Sequence, residues 1–476
     1  MKISEYQSKL KDKSFSCTEF VTESVKKSQT LNTILNHYIL IDEKGAIEGA
    51  RLADEEISIS KDLEKLFVDK PLLGVTISLK DLFTTKDLET TAGSNILKGY
   101  IPPYDATVVT KLKNAGAIIL GKLNEDAFGH GGTGQNSDFG SAKNPYDLDR
   151  VAGGSSSGSG VAVSTDSVFV ATGTDTGGSI RCPASYTSTV GIKPTYGLVS
   201  RYGIISMASS FDTIGHITET VEDNARILEI TSGHDKNDAT SNETSKWNYL
   251  GSLDSNISGM TIGVPAEYIG EGVDPEIVAA VENSLEIYKN LGCKIKSIKL
   301  PLTEYAISVY YLLMPSEVSS NLARFDGIRF GHERETFGDE AKRRIMLGTY
   351  ALSAGYYDEY YLKAEKVRTL IKNEFENAFK DVDVILGPVS PVLPTKIGEF
   401  VDDPLKMYLL DLLVVGINLA GIPSLAVPAG FSKSGLPIGI QIMGKHFDEQ
   451  KLYQLGNALE KETEFYKVKP KIIAEN

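Results

Sequence analysis

The sequence predicts an α/β fold with a mostly parallel or mixed β-sheet. Segments with helical spacing alternate with short apolar runs that are typical of buried strands. A length of 476 residues suits one large α/β domain or about three smaller ones. The chain shows no internal repeat and no long linker, so its organisation follows from the order of these elements.

The first 65 residues are predicted to be helical. Ser16 or Thr18 is placed to cap one helix, and residues 46–57 have the spacing of another. An apolar run over 73–77 then predicts a buried strand that leads into Lys80 and Asp81. At the end of such an apolar run, a solvent-facing lysine is less expected.

Beyond this point, helices and strands alternate. Helices are predicted over 105–116 and 274–292, and strands over 117–124, 167–175, 260–268, 293–301, 381–391 and 422–431. The polar stretch 234–256 predicts a surface loop.

Composition excludes several classes of function. The net charge of −14 gives no overall attraction to nucleic acid. No apolar run is long enough for a membrane span, and the N-terminus lacks the apolar core of a signal peptide, so we expect a cytoplasmic protein. The three cysteines are far apart and form no zinc motif, so we expect no metal site and buried thiols.

The run "AGGSSSGSG" at 152–160 has four possible interpretations. A flexible linker is disfavoured because an apolar segment follows it directly, and a phosphate loop lacks its lysine. Ser156 lies at the centre of a G-x-S-x-G match, which requires a preceding strand and a later histidine. No strand is predicted before the run, and no downstream histidine has the setting of a triad member. The fourth interpretation is a catalytic loop of another kind.

A second small-residue segment, "GTDTGGSIRCPAS" at 173–185, follows a predicted strand and opens a helix. Its paired glycines allow backbone N–H groups to converge on developing negative charge, as an oxyanion hole requires. Ser179 follows these glycines and is a candidate nucleophile. In the absence of a suitable histidine, a desolvated Lys80 is the candidate base. The spacing alone does not connect Lys80, Ser155 and Ser179.

Together these segments resemble the amidase signature family, from Gly153 through Pro183. The resemblance implies a large mixed sheet covered by helices on both faces, in a single domain over 1–476 with the N-terminal helical segment packed onto it. It implies a triad in which Ser179 is the nucleophile, Ser155 bridges on a cis peptide, and Lys80 is the base. The implied oxyanion hole is formed by backbone N–H groups around Thr176, Gly177 and Gly178.

Later blocks resemble one branch of this family, the ammonia-supplying subunits of tRNA-dependent amidotransferases. These blocks are 193–215, 319–331 and 342–371. The branch implies glutamine as the substrate, with Arg344 on its α-carboxylate and Asp411 on its α-ammonium. Tyr310 and the Gly132-Thr133 turn are expected to line the pocket.

The same branch implies a heterotrimer in which this chain joins the B and C subunits of an amidotransferase. The B subunit would hold ATP and Mg²⁺ and make most of the contact with Glu-tRNA(Gln), and no cofactor is expected in this chain. Asp-tRNA(Asn) is a further possible acceptor. His130, Thr133 and Ser157 depart from the common pattern, and the first and last have no assigned role. The rival interpretations are a stand-alone amidase, an α/β-hydrolase and a catalytically silent scaffold.

Overall fold

A computed structural model describes residues 1–243, 247–328, 331–400 and 403–475, and these residues form thirteen strands. The strands are β1 (Tyr38–Ile41), β2 (Thr76–Lys80), β3 (Ile118–Leu123), β4 (Lys143–Asn144), β5 (Asp147–Val151), β6 (Val170–Asp175), β7 (Val190–Lys193), β8 (Thr213–Thr218), β9 (Thr261–Pro265), β10 (Lys294–Ile298), β11 (Val384–Pro388), β12 (Ser424–Phe431) and β13 (Pro437–Met443). Eleven join one sheet in the order β1-β3-β2-β6-β8-β7-β12-β13-β11-β9-β10. β2 pairs in parallel with β3 and β6, and β9 pairs in parallel with β10 and β11, whereas the remaining neighbours are antiparallel. The predicted mixed α/β architecture is therefore confirmed.

Helices pack on this sheet and on one another. Within the described ranges they are α1 (Ile3–Lys11), α2 (Cys17–Leu35), α3 (Glu43–Ile59), α4 (Leu63–Asp69), α5 (Thr107–Asn114), α6 (Ser157–Ser164), α7 (Arg181–Tyr186), α8 (Val221–Thr231), α9 (Tyr249–Ser252), α10 (Pro275–Asn290), α11 (Thr303–Asn321), α12 (Asp339–Ala351), α13 (Lys363–Ala378), α14 (Pro404–Leu409), α15 (Val415–Ala420), α16 (Glu449–Thr463) and α17 (Ile472–Glu475). α3 packs on β3, α8 on β8 and α16 on β12. Across the described part of the chain, every helix is too short or too polar to span a membrane.

The N-terminal helices form as predicted, with one exception. Ser16 caps α2, because its hydroxyl accepts from Glu19 N–H at 3.1 Å while the Glu19 carboxylate accepts from Ser16 N–H at 2.8 Å. The expectation of a wholly helical segment is wrong at β1, which joins the edge of the sheet beside β3. Its four residues are too few to show a period, and their strand conformation is stabilised by pairing with a distant part of the chain.

Three other expectations change. β2 lies three residues later than the run 73–77, because Gly74 turns the chain at φ 78° before the strand begins. A strand does precede the Gly/Ser run. This strand is β5, which pairs with β4 in a separate two-stranded sheet, and the sequence did not predict it because its residues are polar and largely exposed. The polar stretch 234–256 contains the short α9 with a buried Tyr249.

Some residues of the predicted segments are outside the described ranges. They are 244–246 in the polar stretch 234–256 and 329–330 in the block 319–331.

Two apolar clusters meet at the predicted site. The sheet core surrounds the central strands and includes Leu79 and Ile180. The helical core lies among α11, α12, α13 and α15 and includes Tyr310 and Leu413. β2 brings Lys80 to the boundary between the two cores, and α11 brings Tyr310 there from the other side.

Candidate active site

Lys80 ends β2 in a fully buried position. Its Nζ lies 2.7 Å from Ser155 Oγ and 2.9 Å from Thr174 Oγ1, both within hydrogen-bond distance. Burial lowers the pKa of Lys80, although the carboxyl groups of Glu125, Asp126 and Asp175 oppose this effect. The lysine and the bridging serine of the predicted triad are therefore in direct contact.

Ser155 and Ser179 lie on adjacent segments. The peptide bond between Gly154 and Ser155 is cis. The N–H of Ser156 donates to the carbonyl oxygen of Ser179 at 3.1 Å, so the Gly/Ser run and the segment of Ser179 are side by side. Ser179 is 7% exposed and Ser155 is 1% exposed. The fold thus brings together three residues whose spacing in sequence did not connect them.

The elbow-like serine has a different environment. Ser156 is fully buried, and its hydroxyl faces the carbonyl oxygen of Thr174 at 3.4 Å. His216, the buried histidine downstream, contacts the carbonyl oxygen of Asn224 instead. In the described ranges no histidine bonds to Ser156, so the elbow interpretation has no base.

The turn before Ser179 is organised by Asp175. The carboxylate accepts from the N–H of Gly178 at 2.8 Å and from the N–H of Ile180 at 3.2 Å. Among the described hydrogen bonds, none uses the N–H of Thr176 or Gly177. Two of the three predicted oxyanion donors are therefore free, whereas the N–H of Gly178 already has an acceptor, and the oxyanion hole stays a prediction.

Arg181 fixes Asp175 in turn through two parallel hydrogen bonds of 3.0 Å. Both side chains have no exposed surface. Burial alone would raise the pKa of Asp175, but the pair with Arg181 lowers it below its usual range. Asn418 and Gln441 satisfy further polar atoms of this pair, at 2.9 Å each. The carboxylate that shapes the turn is therefore held ionised.

The predicted substrate contacts lie around this centre, and the backbone nitrogen of Thr133 would lie 2.8 Å from a Cβ added to Gly154. A Cβ added to Gly177 would lie 2.7 Å from the Tyr310 hydroxyl oxygen, so the Tyr310 ring lies against the backbone next to Ser179. A Cβ added to Gly132 would lie 3.0 Å from Asp411 Oδ1, and the carbonyl oxygen of Gly132 accepts from Gly154 N–H at 2.8 Å. The Gly132 turn therefore joins the Ser155 loop to Asp411.

The charged pair of the pocket is linked by Tyr311. Its hydroxyl donates to Asp411 Oδ2 at 2.9 Å, and its ring lies 5.8 Å from the Arg344 guanidinium carbon. Arg344 is 3% exposed and donates to Glu340 at 2.8 Å, although a surface position would be the ordinary expectation for this residue. Burial raises the pKa of Asp411 to about 7, and the hydrogen bond from Tyr311 opposes the shift. An acid and a guanidinium thus share one buried pocket.

The family is decided by comparison with known proteins. A family model described as Amidase matches residues 19–453. The chain belongs to the amidase family.

This amidase is similar over nearly its whole length to proteins of one branch. It is 46% identical to the A subunit of glutamyl-tRNA(Gln) amidotransferase from Geobacter sp. (strain M21), over 98% of this chain and 97% of that protein. The crystal structure of the glutamyl-tRNA(Gln) amidotransferase A subunit from Thermotoga maritima has a TM-score of 0.82 at 38% identity, covering 97% of this chain and 94% of that one. The peptide amidase from Stenotrophomonas maltophilia has a TM-score of 0.81 at 27% identity, covering 98% and 97%.

Sequence reasoning missed several residues of this amidase site. Glu125 follows β3 by two residues, and β3 pairs in parallel with β2, which ends in Lys80. The signal for Glu125 was therefore its position at the end of a strand next to the strand of Lys80. Thr174 and Tyr311 had no signal beyond their position next to residues already singled out.

His130 is 1% exposed, and neither of its ring nitrogens has a hydrogen-bond partner within the described ranges.

Proposed function

We propose that this chain is a glutamine-hydrolysing subunit that supplies ammonia for the conversion of Glu-tRNA(Gln) to Gln-tRNA(Gln). The observation that carries the proposal is the buried pocket with Arg344 and Asp411, in a chain 46% identical to a glutamyl-tRNA(Gln) amidotransferase A subunit. A guanidinium suits an α-carboxylate and a carboxylate suits an α-ammonium, so the pair selects an amino acid. An enzyme for simple amides needs neither group.

The first half-reaction forms an acyl-enzyme. Neutral Lys80 takes a proton from Ser155 while Ser155 takes one from Ser179, whose Oγ attacks the side-chain carboxamide carbon of glutamine. The carbonyl oxygen becomes an oxyanion, which the N–H groups of Thr176 and Gly177 stabilise. The proton then returns from Lys80 through Ser155 to the nitrogen, and the C–N bond breaks. Ammonia leaves, and a glutamyl ester remains on Ser179.

The second half-reaction consumes water. A water molecule attacks the ester carbon and gives up a proton through Ser155 to Lys80. The intermediate collapses, the proton returns to Ser179 Oγ, and glutamate is released. The sum is glutamine plus water giving glutamate plus ammonia, and the enzyme is unchanged.

Two partners, the B and C subunits of the amidotransferase, complete the proposal. The B subunit uses ATP and Mg²⁺ to activate the glutamyl group of the tRNA and receives the ammonia, whereas the small C subunit wraps around this chain and stabilises it. The net charge of −14 suits a chain that leaves most of the tRNA contact to its partner. Asp-tRNA(Asn) is a second candidate acceptor for the same complex.

The test is reconstitution. The chain is purified together with its two candidate partner subunits, and glutamine-dependent conversion of Glu-tRNA(Gln) is measured in the presence of ATP and Mg²⁺. We expect conversion, and glutaminase activity that rises when the partners, ATP and Glu-tRNA are present. Efficient hydrolysis of aliphatic amides without any stimulation by the partners would overturn the proposal in favour of a stand-alone amidase.

A further inference from the structure

Glu125 is a buried carboxyl group beside the candidate base, and the mechanism above does not use it. It follows β3 by two residues, and β3 pairs in parallel with β2, so the ends of both strands meet. Oε2 of Glu125 lies 3.5 Å from Lys80 Nζ, and neither side chain has any exposed surface. An acid and an amine are therefore neighbours in a region that excludes water.

The hydrogen bonds argue against an ammonium–carboxylate pair. Nζ of Lys80 is directed at the two hydroxyls of Ser155 and Thr174, at 2.7 and 2.9 Å. Neither oxygen of Glu125 has a hydrogen-bond partner among the described residues. A charged N–H···O pair closes to about 2.7–2.9 Å, and a buried carboxylate without hydrogen bonds is strongly disfavoured. The geometry fits an uncharged acid.

Burial, rather than the surrounding charges, favours the uncharged pair, because Asp126 and Asp175 raise the pKa of Lys80 whereas desolvation lowers it. The other charged groups that act on this pair are Asp81, Asp126, Asp175 and Lys122. Asp175 is paired with Arg181, and Lys122 lies 3.3 Å from Asp81, so the two cations have partners of their own. Burial raises the pKa of Glu125 to about 8 and lowers the pKa of Lys80.

We propose that Glu125 is a positioning residue that rests as a neutral carboxylic acid and keeps Lys80 a neutral amine. When the proton of Ser179 reaches Lys80 through Ser155, Glu125 retains its own proton. The carbonyl oxygen of Glu125 then faces the new ammonium of Lys80. The positive charge of this ammonium forms together with the negative charge of the oxyanion. The proton then passes from Lys80 through Ser155 to the amide nitrogen, which leaves as ammonia, and the pair returns to its starting state. This inference rests on the proposed role of Lys80.

Two substitutions separate this role from an ion pair and from simple packing. Glu125→Gln keeps the size and the carbonyl oxygen without a charge, so we expect kcat within about threefold of the wild type and an unshifted acidic limb of kcat/KM. Glu125→Met keeps similar bulk without a polar atom facing Nζ, and we expect a loss of about ten- to a hundredfold in kcat. A Gln variant whose acidic limb moves down by about one pH unit or more would instead indicate a carboxylate, and equal activity of the Gln and Met variants would indicate packing alone.

The protonation state has a direct readout. In infrared difference spectra of wild type against Glu125→Gln, we expect a carboxylic-acid carbonyl band at pH 6–7 that gives way to carboxylate bands above about pH 8. Carboxylate bands alone at pH 6–7 would overturn the proposal.

A matched control has the same substitution elsewhere. Glu460 in α16 accepts from Val221 N–H at 2.8 Å, and burial raises its pKa to about 8 as well. Glu460→Gln should leave the pH profile unchanged.

A second measurement does not use glutamine. The rate at which a phosphonate probe reacts with Ser179 is measured against pH in the wild type and in the Glu125 variants. If only the substrate assignment is wrong, this pH profile is still as expected, whereas a wrong role for Glu125 changes it.

Discussion

The Tyr311 hydroxyl donates a hydrogen bond to Asp411 Oδ2 at 2.9 Å, and Asp411 is the proposed partner of the substrate ammonium. The pKa of Asp411 is raised to about 7 by burial, so the group takes up a proton as the pH falls through 7. A protonated Asp411 has no charge to attract the substrate ammonium. We therefore expect KM for glutamine to rise as the pH is lowered from 8 to 6.

Variants at these two positions check that dependence. Asp411→Asn should give a high KM that no longer varies over this pH range. Tyr311→Phe removes a bond that favours the carboxylate, so its rise in KM should begin at a pH about one unit higher. A wild-type KM that does not change between pH 6 and 8 would contradict the assignment of Asp411.

The triad predicts a severe loss of activity without loss of the fold. Ser179→Ala removes the proposed nucleophile and Lys80→Ala removes the proposed base, so each should lower glutaminase kcat by about 10³-fold or more. The double variant should be no worse than the single ones, because the two groups act as a unit. Circular dichroism checks folding, and turnover that persists in Ser179→Ala would reject the nucleophile.

Arg344 predicts a change in selectivity. Arg344→Met leaves the proposed triad intact but removes the cation proposed to bind the α-carboxylate, so kcat/KM for glutamine should fall about ten- to a hundredfold. Butyramide, which has no carboxylate, should lose little. Equal losses for both amides would mean that Arg344 stabilises the structure of the site and does not bind the α-carboxylate of the substrate.

Gly178 predicts a local intolerance of side chains. It adopts φ 115°, and an added Cβ would lie 2.6 Å from Val414 Cγ2. Gly178→Ala should lower the free energy of unfolding by about 1–3 kcal/mol from backbone strain, and more from the clash. Gly435 has φ 83° with open space around it, so Gly435→Ala measures the strain alone. Urea unfolding compares the two variants.

Arg181 predicts a large loss of stability. Arg181→Met leaves the Asp175 carboxylate buried without its partner, which costs about 3–5 kcal/mol. The pKa of Asp175 is lowered in the fold, so this pair stabilises the protein at neutral pH and stops doing so in strong acid. Arg51→Met, which removes the exposed ion pairs with Glu48 and Glu55, should cost far less than Arg181→Met. Comparable losses in both variants would contradict this account.

Much of the architecture could be predicted from periodicity. The long amphipathic helices and the apolar strands such as β3, β6 and β9 carry their own signals. β1 and β5 do not, because β1 has only four residues and β5 is polar and largely exposed, so both depend on pairing rather than on an apolar pattern.

The site was predictable only in part. Lys80 and Ser179 stand out by residue type next to unusual neighbours, and the family resemblance supplied the relation between them. Glu125, Thr174 and Tyr311 were not foreseen, because their roles depend on distances that only the paired strands and packed helices create. In the sequence, Arg344 is indistinguishable from an exposed arginine, because its burial depends on the packing of α12 against other helices.

The position of the site between two apolar cores has an evolutionary consequence. Lys80, Ser155 and Ser179 come from segments joined to the sheet core, whereas Tyr310 belongs to the helical core and Arg344 lies on α12, which packs there. Substitutions that reshape the helical core can therefore change which amide is accepted while the proposed triad keeps its geometry. A single ancestral hydrolase could diversify in this way, by exchanging the recognition half of its pocket and inheriting the other half unchanged.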